Sequence, residues 1–218
     1  MGRNNKITKS SVFDSRYIAP SSDKHVLIEK RATKTSRGVL SKGWYKIGSK
    51  TVLAKGNTEG NREPFAEVIG GRIAHYISEG YAVLYQLAPA SDFPELKIFD
   101  FKHVSICEKY TSNASQQFSK YLDALQGKAL QGIAYLDWIK KQPLLFRQKL
   151  CQMLFIDAVI GNQDRHLNNW DIEIATGDVL PFIDFGAGCL GWGKSNILSY
   201  KSPEAISPDK AKPFGNTH

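Results

Sequence analysis

The sequence predicts an α+β protein of two lobes, an antiparallel sheet with one helix followed by a mainly helical half that contains a β-hairpin. Two patterns predict this division. Up to Tyr110, short runs rich in β-branched and aromatic residues surround a single segment with helical spacing. Beyond Asn113, three successive segments have the periodicity of helices. We therefore expect the boundary between the lobes at residues 110–113.

The first strands are predicted around a tight turn. VLIE at residues 26–29 is a strand-like run, and GWYKIGSKTVLAKG is typical of a hairpin that turns at Gly48 and Ser49 and ends at Lys55. Two further runs, YAVLYQLA and HVSICEKY, predict strands at 81–88 and 103–110.

One helix is expected between the strands of this lobe, at residues 62–78. Apolar side chains recur there at helical spacing, and they are Phe65, Val68, Ile69, Ile73, Tyr76 and Ile77. Gly70 and Gly71 weaken such a helix by roughly 1 kcal/mol each. Packing rather than intrinsic propensity must therefore hold it.

The second half begins with helices and ends with a hairpin. Helical periodicity covers residues 115–126, 132–141 and 144–160. WDIEI and VLPFI then predict two strands joined by the turn ATGD. We divide the chain into a basic segment (1–33), a first lobe (34–110), a second lobe (111–190) and a C-terminal loop or tail (191–218).

Composition and charge restrict the class of protein. The 218 residues are 42% hydrophobic and 11% aromatic, which argues against disorder. No apolar run approaches the roughly 20 residues that span a bilayer, and residues 1–11 lack the apolar centre of a signal peptide. We therefore expect a cytoplasmic protein without a membrane span.

The net charge of +8 is concentrated near the N-terminus, where residues 1–42 hold ten Lys and Arg against three Asp and Glu. Such a segment is typical of an arm that contacts nucleic acid, an acidic partner or phosphate, and equally of a solvated segment. Any contact with nucleic acid is expected to be indirect or through this segment.

The stretch GNQDRHLNNW at 161–170 contains the main candidates for chemistry. If the second hairpin forms, Asp164 and Asn169 precede its first strand and Asp184 follows its second, so all three converge at one end. Asn169 and Asp184 suit Mg²⁺, which takes one or two carboxylates together with phosphate oxygens. Asp164 is then left to orient or deprotonate a hydroxyl group. The alternative is that these residues only form turns.

This pattern resembles the catalytic and metal-binding loops of atypical kinases. Asp164-Arg165-His166 and Asn169, followed by Asp184-Phe185-Gly186, are similar to those of the phosphoinositide 3- and 4-kinases and of the bacterial HipA-type serine/threonine kinases, which have DRH where ordinary protein kinases have HRD. The resemblance implies a two-lobed protein-kinase-like fold. HipA-type kinases continue with a substantial helical lobe beyond the metal loop, whereas 28 residues follow Leu190 here, so we expect a truncated or reduced second lobe. It also implies a catalytic loop containing Asp164, His166 and Asn169, with His166 catalytic or bracing the loop, and metal ligands at Asn169 and Asp184.

The resemblance extends into the first half of the chain. SRGVLSKGWYKIGSKTVLAKG is similar to the phosphate loop and lysine strand of HipA-type kinases, with Gly38, Lys42 and Lys55 at the matching positions. Glu63 and Glu67 are the two candidates for a glutamate that pairs with Lys55, and the spacing of the family favours Glu67. Ser36 and Ser41 lie where such kinases have an inhibitory autophosphorylation site.

The same resemblance implies a nucleotide site. Backbone groups near Glu108 to Tyr110 would bind adenine, and the cofactors would be ATP and Mg²⁺. An aminoacyl-tRNA synthetase is the kind of protein substrate that HipA-type toxins phosphorylate, and an antitoxin is the partner the family implies. The short chain is similar to HipT-like members.

Two other functions remain open from the sequence. The DRH and IDFG motifs are also compatible with a kinase that acts on a lipid or another small molecule. A pseudokinase or nucleic-acid-binding module would combine this fold with the basic N-terminal segment.

Overall fold

The computed structural model describes residues 25–32, 40–58, 62–99, 102–111, 115–126, 133–189 and 191. For 25–32, 123–126 and 133–136 it describes the backbone alone. Ser36 and Gly38, most of the basic segment and all but Gly191 of the predicted tail lie outside these residues.

Five antiparallel strands form the sheet of the first lobe, in the spatial order β1-β2-β3-β5-β4. Their bounds are His25–Ala32 (β1), Ser41–Ile47 (β2), Lys50–Lys55 (β3), Gln86–Pro89 (β4) and His103–Glu108 (β5). The predicted hairpin is confirmed, since β2 and β3 pair in register around the turn. Gly48 in that turn has a φ of 58°, a conformation that glycine adopts readily.

The strand predicted at 81–88 is wrong over its first half. Tyr81 and Val83 pair instead with an extended segment of the second lobe, because the Phe182 amide donates to the Tyr81 carbonyl (3.1 Å) and the Val83 amide donates to the Phe182 carbonyl (2.9 Å). Regular pairing with β5 begins only at Gln86. The pairing of Tyr81 and Val83 with Phe182 therefore joins the first lobe to the second.

The two faces of the sheet are covered differently. Residues 89–99 cover one face, where Phe93 packs edge-to-face on Tyr45 with ring centroids 4.9 Å apart. Asn57 fixes this segment, since its amide donates to the Phe99 carbonyl (2.6 Å) and accepts from the Phe99 amide (2.8 Å). The helix of the first lobe and the cleft lie on the opposite face of the sheet.

Helix α1 (Glu63–Ile77) packs against the sheet through small and acidic residues, not through its apolar stripe. Ile69 and Tyr76 of that stripe are 51% and 62% exposed. The buried residues of α1 are Glu63, Pro64, Ala66, Glu67, Gly70, Gly71 and Ala74. The helix predicted from the sequence periodicity is confirmed, but parts of its apolar stripe are exposed while its small residues and glutamates are buried.

Three helices of the second lobe lie within the described residues, and they are α2 (Phe118–Gln126), α3 (Ile133–Lys140) and α4 (Leu144–Ile160). The predicted helical start at Ser115 is wrong. Ser115–Gln117 forms strand β6, which pairs antiparallel with β7 (Asp171–Glu173). This long-range pairing overrides the local helical pattern.

The predicted second hairpin is present in reduced form. Only its first strand, β7, is regular, and Val179 opposes Ile172 in a single antiparallel bridge. Phe118 and Trp170 pack beneath it with ring centroids 3.9 Å apart. Among the described residues, no helix combines the length and apolar character needed to cross a membrane.

Candidate active site

Lys55, at the end of β3, has a buried ammonium group surrounded by three acceptors. Its Nζ lies 2.6 Å from Oε1 of Glu67, 3.1 Å from Oδ1 of Asp184 and 3.3 Å from the hydroxyl oxygen of Tyr85. Glu67 is 1% exposed. Of the two candidate glutamates, the structure therefore places Glu67 against Lys55.

Glu63, the other candidate, holds the loop that follows β3. Its carboxylate accepts from the Thr58 hydroxyl (2.6 Å) and from the Thr58 amide (3.0 Å). This contact fixes the start of α1 against the end of β3, one helical turn before Glu67.

The second oxygen of Glu67 contacts the DFG segment. The backbone amide of Phe185 donates to Oε2 of Glu67 over 2.9 Å. A Cβ at Gly70, one turn further along α1, would lie 2.7 Å from Cβ of Phe185, so only glycine allows this approach. The carboxylate thereby links α1, β3 and the segment that contains Asp184.

The electrostatics keep Lys55 and Asp184 ionised. Burial alone would lower the pKa of Lys55, but the carboxylates of Asp184 and Glu67 raise it above its ordinary value. Burial alone would raise the pKa of Asp184, but Lys55 and Lys42 bring it well below its ordinary value. Asp184 is therefore available as an anionic ligand over a wide pH range.

Arg165 organises both loops from a fully buried position. Its Nε and Nη2 donate to the two carboxylate oxygens of Asp157 over 2.7 and 3.0 Å. Nη1 donates to the carbonyls of Asn169 and Ile183, and Nη2 donates to the carbonyl of Asp184. One guanidinium group therefore fixes the backbone of the DRH loop relative to that of the DFG segment.

Two further polar residues, which sequence reasoning missed, complete this buried network. Asn162 donates to Oδ1 of Asp157 (2.8 Å) and to the carbonyl of Asp184 (3.3 Å), and its own oxygen accepts from the Asp164 amide (3.1 Å). Asp157 had a visible signal, since it is the one charged residue in the apolar run LFIDAVIG. A buried acid on a helix beside a DRH loop predicts a partner for the arginine.

Asp184 itself has an unusual backbone conformation. Its φ of 66° lies in the left-handed region, which few residues other than glycine adopt. The bonds from Arg165 and Asn162 to its carbonyl hold it in this conformation. Such over-determined strain is common where a side chain must be aimed at a ligand.

Asp164 lies beside Asn169 and His166 on the DRH loop. The Asn169 amide nitrogen donates to the Asp164 carbonyl (2.6 Å) and lies 3.3 Å from Oδ2 of its carboxylate. His166 Nε2 is 3.8 Å from that carboxylate, and its Nδ1 accepts from the Asn168 amide. Burial raises the pKa of Asp164, which the charge of His166 opposes.

A cleft between the lobes is lined by Lys55 and Asp184 and by Asn168, the neighbour of Asn169. Its lining residues are Lys42, Trp44, Leu53, Lys55, Tyr110, Gln117, Asn168, Asp171, Ile183 and Asp184. The cavity holds about 60 Å³, whereas ligand pockets typically hold roughly 300 Å³ or more.

The predicted adenine and regulatory residues have different surroundings. Tyr110 lines the cleft, but the side chain of Glu108 is 60% exposed and pairs with Lys50 outside it. The Lys109 amide donates to the Thr51 carbonyl over 2.9 Å. Ser41 is buried, and its hydroxyl accepts from the Lys97 amide.

The oxygen donors at this cleft fit Mg²⁺ better than they fit a metal held by the protein alone. No group of three or more His, Cys, Asp and Glu side chains suited to a metal ion occurs within the described part of the chain. Asp184 and the amide oxygen of Asn169 would supply one carboxylate and one neutral oxygen to a Mg²⁺ ion whose shell is completed by phosphate and water.

Similarity to known proteins is limited to structure. No protein-family model and no curated protein sequence matches this chain. The crystal structure of the Helicobacter pylori proinflammatory kinase CtkA is similar to it, with a TM-score of 0.60 and 17% sequence identity. That similarity covers 84% of this chain, which spans 65% of the length of CtkA. This likeness shows a kinase-like fold, as the sequence predicts.

A second solved structure, the open conformation of CtTel1, is more distant. Its TM-score is 0.41 and its identity 13%, over 73% of this chain and 8% of that chain. This value is too low to bear on the fold.

Proposed function

We propose that this chain is an ATP- and Mg²⁺-dependent kinase that transfers the γ-phosphoryl group to a serine or threonine hydroxyl of a protein. The observation that carries the proposal is the contact of Lys55 with both Glu67 and Asp184 at the cleft where the catalytic loop ends. The kinase-like fold supports it, as does the kinase activity of the similar Helicobacter pylori protein.

The chain's own residues supply position and charge. Lys55 and Lys42 line the cleft and would neutralise phosphate oxygens, which is the main requirement of phosphoryl transfer. Asp184 and Asn169 would hold Mg²⁺, which when bound neutralises the charge that develops on the leaving phosphate. Glu67 keeps Lys55 in place, and Arg165 keeps the two loops in register.

Asp164 is the proposed base. The substrate hydroxyl oxygen bonds to the γ-phosphorus while the bond from phosphorus to the β,γ-bridging oxygen breaks and ADP leaves. Asp164 orients the hydroxyl and accepts its proton, a contribution of about 10²- to 10⁴-fold in rate. Its raised pKa, caused first by burial, makes this carboxylate a stronger base than an exposed aspartate.

The substrate class rests on the motif resemblance. A HipA-type, HipT-like kinase would phosphorylate a protein such as an aminoacyl-tRNA synthetase and would be restrained by an antitoxin partner. A lipid or small-molecule kinase, and a pseudokinase that binds nucleotide without transfer, are the alternatives that the experiment must separate.

The decisive experiment is transfer from [γ-³²P]ATP with Mg²⁺, followed in protein and in lipid extracts. Wild-type protein should incorporate label, whereas Asp164→Ala and Asp184→Asn should not. Asp178→Asn, an exposed aspartate in the turn after β7, serves as the matched control and should retain activity. Label only in lipid would favour the lipid kinase. A thermal shift with Mg·ATP measures nucleotide binding in parallel: binding without transfer would favour the pseudokinase, and absence of binding would exclude the kinase proposal.

A further inference from the structure

Tyr85 lies against the Lys55–Glu67 pair although it belongs to none of the kinase-like motifs. It immediately precedes β4 and is 1% exposed. Its hydroxyl oxygen is 3.3 Å from Nζ of Lys55, and the same Nζ is 4.9 Å from the centroid of its ring. Both the polar end and the ring of Tyr85 therefore contact the ammonium group.

The ring of Tyr85 is fixed on its other sides. It packs edge-to-face against Phe185, with centroids 6.4 Å apart and an angle of 88° between the rings. A Cβ at Gly71 of α1 would lie 3.3 Å from Cδ2 of Tyr85. Tyr85 is thus held between α1, β3 and the DFG segment, and its hydroxyl has little freedom to move.

The number of donors on Lys55 gives this contact a consequence. An ammonium group has three N–H donors, and among the described residues three acceptors surround Nζ, namely Glu67, Asp184 and Tyr85. A phosphate oxygen can bind Lys55 only when one of these acceptors is given up. Asp184 is the one that would turn to a metal ion, and Glu67 and Tyr85 would then retain the other two donors.

We propose that Tyr85 is a positioning residue, which together with Glu67 orients Lys55 so that the donor released by Asp184 faces the phosphate. This inference rests on the proposed kinase function. Burial raises the pKa of Tyr85 well above its ordinary value, so the hydroxyl is neutral and can accept from the ammonium group. Without a metal ion, Asp184 keeps its contact with Lys55, so Tyr85 contributes little to the binding of nucleotide.

The test compares Tyr85→Phe, which keeps the ring and removes the hydroxyl, with Tyr45→Phe. Tyr45 is a matched control, because it is a fully buried tyrosine on the other face of the same sheet and its hydroxyl donates to Glu95 over 3.3 Å. The binding of AMP-PNP is measured by calorimetry with and without Mg²⁺. Thermal unfolding of each variant provides the check on folding.

Tyr85→Phe should weaken binding of Mg·AMP-PNP about tenfold, as expected for one hydrogen bond to a charged group, and should change metal-free binding less than about twofold. Tyr45→Phe should leave both affinities unchanged. An unchanged affinity of Tyr85→Phe, or an equal loss with and without Mg²⁺, would overturn the positioning role while the kinase proposal stands. No binding by wild-type protein would overturn both.

A second measurement needs no variant. In wild-type protein labelled on lysine and tyrosine, the nuclear Overhauser contact between the Lys55 ammonium group and the Tyr85 ring should persist when Mg·AMP-PNP binds. Loss of that contact on binding would show that Lys55 leaves Tyr85, and would refute the proposed orientation.

Discussion

Lys42 and Lys55 stand directly opposite each other on β2 and β3. Opposed residues of an antiparallel pair project from the same face, so both side chains leave the sheet toward the cleft that they line with Asp184. Like charges in this arrangement repel, and the ionised carboxylate of Asp184 offsets the repulsion. Two cations that line one cleft are suited to binding a polyanion such as a nucleoside triphosphate.

Lys42→Ala should therefore weaken the binding of Mg·AMP-PNP, roughly tenfold, since it removes a charge-assisted contact to phosphate. The loss should shrink as salt is raised. Calorimetry at two salt concentrations measures both effects. Lys46→Ala is the matched control, because Lys46 follows on the same face of β2 but is exposed and outside the cleft; an equal loss there would mean that general surface charge attracts the nucleotide.

Arg165 should be the most costly cation to remove. Arg165→Met leaves the buried carboxylate of Asp157 without its cationic partner, and loss of one member of a buried ion pair costs about 3–5 kcal/mol. Denaturant unfolding measures this loss in the free energy of unfolding. Arg147 is exposed on α4, and the control Arg147→Met should have a free energy of unfolding within about 0.5 kcal/mol of wild type.

A double variant separates the ion pair from its other contacts. Asp157→Leu combined with Arg165→Met should cost less than the sum of the two single changes, because no unpaired charge remains. Additive losses would show that the carbonyl bonds of Arg165, not its pairing with Asp157, account for the stability.

The acid limb of the pH–activity profile should depend on His166. Asp164 must be ionised to accept a proton, so activity falls as the pH falls through its pKa, which burial raises above the ordinary value for aspartate. The charge of His166 opposes that shift. His166→Asn should therefore raise the pKa of Asp164 and move the acid limb to higher pH.

The pH profile of kcat/KM for ATP measures this shift. His103→Asn is the control, since His103 packs on Phe65 and does not line the cleft. A profile of His166→Asn that superimposes on wild type would mean that the imidazole braces the loop without acting on Asp164.

The sequence predicted the elements well where local chemistry determines them. The hairpin from β2 to β3 follows from a turn glycine between β-rich runs, and the 17 residues of α4 follow from its periodicity. The convergence of Asp164, Asn169 and Asp184 was predicted from the hairpin alone. It survives although only Ile172 and Val179 pair there, because Arg165 bonds to the backbone of both loops.

What the sequence did not predict depends on contacts between distant segments. The residues of β6 were predicted as part of a helix because their partner strand, β7, lies more than 50 residues further along the chain. Tyr85 resembles any apolar residue of a strand-like run until β3, α1 and Phe185 are placed around it. Which side chains of α1 are buried likewise depends on distant contacts, since a helix beside a polar cleft turns its glutamate inward.

The two glycines of α1 provide the last prediction. In an ordinary helix Gly70→Ala should stabilise the protein by roughly 1 kcal/mol. Here the added Cβ would lie 2.7 Å from Cβ of Phe185 and 3.4 Å from Cδ1 of Ile160. The helix must move away, and with it Glu67, which holds both Lys55 and the Phe185 amide. The sign of the effect should therefore reverse.

Gly70→Ala should lower the melting temperature and weaken the binding of Mg·AMP-PNP, both measured in the same thermal-shift series. Ile69→Ala is the matched control, because the neighbouring side chain is 51% exposed and alanine favours the helix slightly. That control should leave both quantities near wild type. A Gly70→Ala protein that melts higher and binds nucleotide as tightly would show that α1 has room to shift, and that its close packing on Phe185 does not set the position of Glu67.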